Sequence, residues 1–61
     1  MIRLLIADDH PVVRGGLAAL LSADPGLEVV AEASDGDQAV RLAAATRPDL
    51  VLMDLRMPLM G

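Results

Sequence analysis

Three short apolar runs, each bounded by acidic or polar residues, alternate with two longer segments whose apolar residues recur at helical spacing. Residues 2 to 7, IRLLIA, run into Asp8 and Asp9, the pattern of a strand buried on both faces. In HPVVRGGLAALLSADPG the residues Val12, Val13, Gly16, Leu17, Leu20 and Leu21 recur in pairs four apart, which predicts a helix over about 11–22 with those residues on one stripe. Pro11 suits its first turn, and Asp24-Pro25-Gly26 suits the turn after it. LEVVAEA, residues 27 to 33, predicts a second strand, and its Glu28 and Glu32 point to an edge position. SDGDQAVRLAAATRP predicts a helix over about 35–46, with Ser34 or Asp35 as N-cap, Gln38 in the manner of a capping box, and Pro48 as the stop. Ala39, Val40 and Ala43 are its expected inward face. Residues 49 to 54, DLVLMD, predict a third strand.

The order is βαβαβ, which by the right-handed crossover rule implies an α/β fold with a parallel sheet and helices packed on it. Gly15 and Gly16 each cost roughly 1 kcal/mol relative to Ala inside a helix, so a local reason is expected, with close approach of Gly16 to the sheet the natural one. There is no repeat, low-complexity segment or internal linker.

Composition narrows this picture. A chain of 61 residues buries only about 60% of the surface it exposes when unfolded, so its stability should be marginal. No Phe, Tyr or Trp is present, and the core must be built from Leu, Val, Ile, Ala and Met. The absence of cysteine excludes a disulfide framework and a thiolate metal site, and points to a reducing cytoplasm. The first apolar run is too short for a signal peptide or a membrane span, so neither export nor a membrane is expected. The formal net charge is -4, and the five basic residues, all Arg, stand singly at 3, 14, 41, 47 and 56. Without a basic patch, this segment is not expected to bind nucleic acid.

The chemistry lies in the acids. In parallel α/β sheets ligands collect at the carboxyl ends of strands, near a switch in strand order. Asp8 and Asp9 stand at that end of the first strand and Asp54 at that end of the third. If these strands are neighbours, three carboxylates converge on one crevice. Two unit charges about 4 Å apart at an effective dielectric near 20 repel by roughly 4 kcal/mol, so such a crevice needs a proton or a cation. All-oxygen ligation favours Mg²⁺, Mn²⁺ or Ca²⁺ over zinc, and Mg²⁺ habitually works with phosphate. A carboxylate beside such a metal is a competent nucleophile for phosphoryl transfer, forming an acyl phosphate.

Each acid also has a bland explanation. Strands commonly end in polar turns, so Asp8 or Asp54 alone would be structural or solvated, and only the combination argues for a site. Asp24, Asp35 and Asp37 read as turn and cap residues, and Asp49 as the acid opening a strand. His10 reads as an exposed helix-start residue, in preference to a phosphoryl carrier or metal ligand. Met53, Met57 and Met60 read as core fillers.

The stretches LLIADDHPVVRGGLAALL, VVAEASDGDQAV and PDLVLMDLRMP, in that order, resemble the receiver domain of bacterial two-component response regulators, in particular the LuxR-type group that carries a C-terminal helix-turn-helix. The resemblance runs over the whole chain. It implies that Asp54 is the aspartate phosphorylated by a sensor histidine kinase, with Mg²⁺ bound by Asp8, Asp9 and Asp54 and by the backbone carbonyl of Arg56. It implies a flavodoxin-like doubly wound sheet with strand order 2-1-3-4-5, of which residues 1 to 61 are the N-terminal half in the order 2-1-3. The expected role is that of a phosphoacceptor and not of an enzyme, in a parent that regulates transcription and reaches DNA only through a domain outside this chain. Met57 and Pro58 match the family's Met-Pro, whereas Leu59 and Gly61 depart from its common pattern. The family's hydroxyl residue after strand 4 and lysine after strand 5 have no counterpart, since the chain has no lysine. Weak or no phosphorylation of these residues alone is therefore expected.

An alternative treats the chain as a truncated, phosphotransfer-incompetent interaction module. In the order 2-1-3 the apolar third strand is an open edge, which invites a homodimer that joins strand 3 to strand 3, antiparallel across a two-fold axis. Two enzyme classes fit poorly. A dinucleotide-binding domain needs Gly-x-Gly-x-x-Gly where Asp8 and Asp9 stand, and an Asp-x-Asp phosphatase needs a gap between its acids.

Overall fold

The computed structural model describes residues 1–54. Strand β1 (Ile2–Ala7) is followed by helix α1 (Pro11–Ser22), strand β2 (Leu27–Ala33), helix α2 (Gly36–Thr46) and strand β3 (Leu50–Met53). The three strands form one parallel sheet in the order β2-β1-β3. The most apolar strand, β1, takes the centre. Leu4, Leu5, Ile6 and Ala7 are all buried there, and complete burial of side chains such as Leu5 and Ile6 contributes roughly 1.5–3 kcal/mol each.

Alternation along β1 splits the core between the two faces of the sheet. Leu5 and Ala7 join Ala33 and Ala39, with Ala31, Leu42 and Ala43 against them, beneath α2. Leu4 and Ile6 have the opposite parity, and Ile6 shares the α1 side with Leu17 and Leu52. Strand β2 is an edge strand, and its register shifts between Leu4 and Leu5 so that Val30 is an extra residue. Bulges of this kind are common on edges, where they bend the strand and break its regular ladder. Glu28 and Glu32 are exposed on it.

Several sequence expectations are corrected. The line of α1 turned toward the sheet is Arg14, Leu17, Ala18 and Leu21, while Val12, Val13 and Leu20 are exposed. Because α1 is apolar nearly all round, periodicity alone does not choose its face. Gly16 does not approach the sheet closely: a Cβ there, or at Gly15, would have nothing within 4 Å. On α2, Val40 is exposed and Leu42 takes the inward place beside Ala39 and Ala43. Strand β3 is two residues shorter than the run 49–54, because Asp49 and Asp54 flank it rather than extend it.

The ends of the elements are tied by polar contacts. Asp35 caps α2 by accepting from the Gln38 amide (2.8 Å), and the Gln38 side chain reaches back to the Ser34 amide (2.9 Å). At the other end of α2, Arg47 adopts a left-handed conformation (φ 49°) and its amide donates to Ala43. Arg3 reaches across from β1 and donates to the carbonyls of Thr46 (2.7 Å) and Arg47 (3.1 Å), placing a cation where helix carbonyls lack partners. The Arg3 amide donates to Asp49 (2.9 Å), and the Asp49 amide donates back to the Arg3 carbonyl (2.8 Å), which sets the start of β3.

Candidate functional site

The parallel ladder that pairs Ala7 with Met53 brings the next residues, Asp8 and Asp54, to the same end of the sheet. Two backbone hydrogen bonds hold them there. The Asp8 amide donates to the Ala33 carbonyl and the Asp54 amide to the Ala7 carbonyl, each at 3.0 Å. Asp9 and His10 follow on the short link from β1 to α1, where His10 is the N-cap residue and Pro11 opens the helix.

One ligand atom from each of Asp8, Asp9, His10 and Asp54 falls within a sphere in which all lie within 4.8 Å of one another. The three carboxylates expected to converge therefore do so. His10, expected only to be an exposed helix-start residue, stands at the helix start and is exposed, yet its ring reaches into the cluster. Its Nδ1 is 2.9 Å from Asp8 Oδ1, 3.0 Å from Asp9 Oδ1 and 3.8 Å from Asp54 Oδ2. The residue missed by sequence reasoning carried one usable signal: it directly follows the two acids at the strand end.

The electrostatics follow from these contacts. Asp8 Oδ1 accepts from the His10 amide (2.8 Å) and from the ring, which holds the Asp8 carboxyl below its ordinary value. The hydrogen bond to Asp8, followed by the charge of Asp9, raises the His10 imidazole above its ordinary value. Arg14 supports the cluster from below: its Nη1 donates to the Asp8 carbonyl (2.8 Å), and its Nε lies 3.4 Å from Glu32. Beside the acids, on the α1 side of the sheet, an open cavity of about 430 Å³ is lined by Ile6, Leu17, Leu52 and Met53 as well as Asp8 and Asp54.

The remaining acids lie elsewhere. Asp24 accepts from the Gly26 amide (2.8 Å), Asp37 pairs with Arg41 one helical turn on (3.3 Å), and Asp35 and Asp49 make the contacts described above. Arg56, Met57, Pro58, Leu59, Met60 and Gly61 lie outside the described residues. No helix among the described residues is long and apolar enough to cross a membrane.

A family model of the response regulator receiver domain matches residues 4–61. The chain belongs to the response regulator receiver domain family. Among curated relatives, it is 60% identical over 57 residues to the transcriptional regulatory protein LiaR of Bacillus subtilis (strain 168), covering 93% of this chain and 27% of LiaR. It is 52% identical over 61 residues to protein-glutamate methylesterase/protein-glutamine glutaminase 4 of Geobacter metallireducens, covering 100% of this chain and 18% of that protein. Its backbone superimposes on the signal receiver domain of the response regulator NarL from Mycobacterium tuberculosis with a TM-score of 0.89 at 44% identity, over 93% of this chain and 46% of that one. The chain thus spans about a quarter of LiaR and a little under half of the solved receiver chain, and the β2-β1-β3 sheet with its two helices is the corresponding part of that fold.

Proposed function

We propose that this chain is the phosphoacceptor part of a two-component response regulator, with Asp54 as the nucleophile and Asp8 and Asp9 as carboxylates that hold Mg²⁺. The observation that carries this reading is the convergence of Asp8, Asp9 and Asp54 at the carboxyl end of β1 and β3 in a receiver-family chain. The donor set fits a hard divalent cation, since three carboxylates each offer an oxygen and their mutual repulsion favours one. The Arg56 backbone carbonyl completes the protein ligands in this proposal. Bound there, Mg²⁺ would offset the carboxylate charge and the charge that develops on the phosphoryl oxygens.

Asp54 directly follows β3 and its amide is bonded to the Ala7 carbonyl, so its carboxylate is presented at the sheet end. One of its oxygens bonds to phosphorus as the P–N bond to a phosphohistidine of a sensor histidine kinase breaks, leaving an acyl phosphate and the kinase's free imidazole. The identity to a transcriptional regulatory protein supports a parent that regulates transcription, and the likeness to a methylesterase supports the same switch serving other outputs. In either parent this chain is read as the acceptor and not as the enzyme. A cytoplasmic location accords with the absence of cysteine and with a kinase partner.

The test is incubation of the chain with Mg²⁺ and acetyl phosphate, followed by borohydride trapping and peptide mass spectrometry. Label confined to Asp54, lost in Asp54→Asn and in EDTA, is expected, at a slow rate because no lysine is present to neutralise the phosphoryl charge. Label on another residue, or label indifferent to EDTA, overturns the assignment. A second reading, self-association through β3, is favoured by one observation: Leu50, Val51, Leu52 and Met53 are all exposed on a sheet edge among the described residues. Sedimentation velocity that finds only monomer at high concentration excludes it.

A further inference from the structure

We infer that Arg14 is a positioning residue for the cation site: by tying the peptide between Asp8 and Asp9 to Glu32 of β2, it fixes the direction in which Asp9 presents its carboxylate. This inference rests on the phosphoacceptor reading of the crevice and adds to it a residue outside the acids on which their arrangement depends. Asp8 needs no such help, because it is buried and its amide is bonded to the Ala33 carbonyl. Asp9 is exposed on the link to α1, and the peptide it shares with Asp8 sets where its side chain departs. The carbonyl of that peptide accepts from Arg14 Nη1 at 2.8 Å, while Arg14 Nε lies 3.4 Å from Glu32 Oε1. One guanidinium on α1 thus joins the link to β2, a task that suits its rigid fork of donors.

The place of Arg14 is the second support. It stands in the line of α1 turned toward the sheet, with Leu17, Ala18 and Leu21, and its side chain is only 20% exposed. Its Nε is shielded from solvent and has no hydrogen-bond partner among the described residues. A donor buried in this way costs folding free energy, and an apolar residue would fill the same line without that cost. Charge alone gives no reason for it either. A cation beside the acids opposes the binding of Mg²⁺, so removing it for its charge would tighten binding, whereas removing a positioning residue loosens it.

That opposition of signs makes the test decisive. Mg²⁺ is titrated into the ¹⁵N-labelled chain without a phosphodonor and followed by NMR shifts of the folded species, so that a variant that merely unfolds some molecules leaves the affinity in place. Arg14→Met keeps the aliphatic packing and loses the donors, and its Mg²⁺ affinity is expected to fall about tenfold. Glu32→Asp keeps the charge but shortens the reach to Arg14. It is expected to weaken Mg²⁺ binding by about threefold in the unaltered chain and to have no effect in the Arg14→Met background. Unchanged or tighter binding in Arg14→Met, or an equal effect of Glu32→Asp in both backgrounds, overturns the inference. Should Arg14→Met not fold, Glu32→Asp decides alone, since the position is exposed, and an unchanged affinity there overturns it. Failure of the underlying reading looks different: Asp54→Asn would leave Mg²⁺ affinity unchanged, or the unaltered chain would not bind Mg²⁺.

Discussion

His10 and Asp8 are tied together twice, because one carboxylate oxygen receives both the amide and the ring of the same residue. The pair gives the metal-free chain a defined pH response. The imidazole is raised from 6.5, so its contribution to stability is complete below that value and is lost as pH rises through the raised one. The Asp8 carboxyl is lowered from 3.8, so its contribution is complete above that value and is lost as pH falls through the lowered one. Melting temperature measured in EDTA is expected to form a plateau between those two values and to decline on either side. In Asp8→Asn the ring loses its nearest partner, while the charges of Asp9 and Asp54 remain. The NMR titration midpoint of the single histidine should then move down, and an unmoved midpoint would show that Asp8 does not hold it.

At the scale of elements, α1 is built less tightly than its position suggests. Two glycines sit in its interior with open space where each Cβ would be, and neither has a positive φ. Gly15→Ala and Gly16→Ala are therefore expected to stabilise the chain by up to about 1 kcal/mol each, read as a shift in the urea midpoint. No contact in the described structure explains why glycine stands at either position. The C-terminus of α2 shows the opposite case. Arg47 holds a left-handed conformation that costs a side-chain-bearing residue roughly 1–2 kcal/mol, and Arg47→Gly should recover part of that cost. Arg3 caps the same helix end from β1, so Arg3→Ala is expected to destabilise the chain although the residue lies far from the acids. Thermal melts of the two variants should move in opposite directions.

For the molecule as a whole, the acids that make the crevice useful also work against the fold. Three carboxylates meet at one end of a small sheet, with the His10 ring in the cluster, cationic when protonated, and Arg14 beneath it. Mg²⁺ that binds only the folded chain is expected to stabilise it by about 1.4 kcal/mol at ten times the dissociation constant. Asp54→Asn should raise the melting temperature without metal, by removing one like charge, and should reduce the gain from added Mg²⁺. A chain whose stability ignores Mg²⁺ would count against a cation site in this crevice.

The sequence by itself determined the elements and their order, because strand and helix periodicities, the Asp35 cap, the Pro stops and the Asp24-Pro25-Gly26 turn are local signals. It also determined that acids follow the first and third apolar runs. No local signal places β1 between β2 and β3: the resemblance to receiver domains implied that order, and the tertiary pairing bears it out, so that Asp8 and Asp54 stand at the same end of a parallel ladder. Tertiary structure alone decided which face of α1 turns inward. An all-round apolar helix leaves that choice to packing, and Arg14 was drawn inward by the Asp8 carbonyl and Glu32, which no periodicity could reveal. The place of His10 belongs to the same class. Its neighbours in the sequence are visible, but its approach to Asp54 depends on a strand pairing between residues more than forty positions apart. Such pairings are set by the combined burial of the whole sheet, which no local stretch encodes.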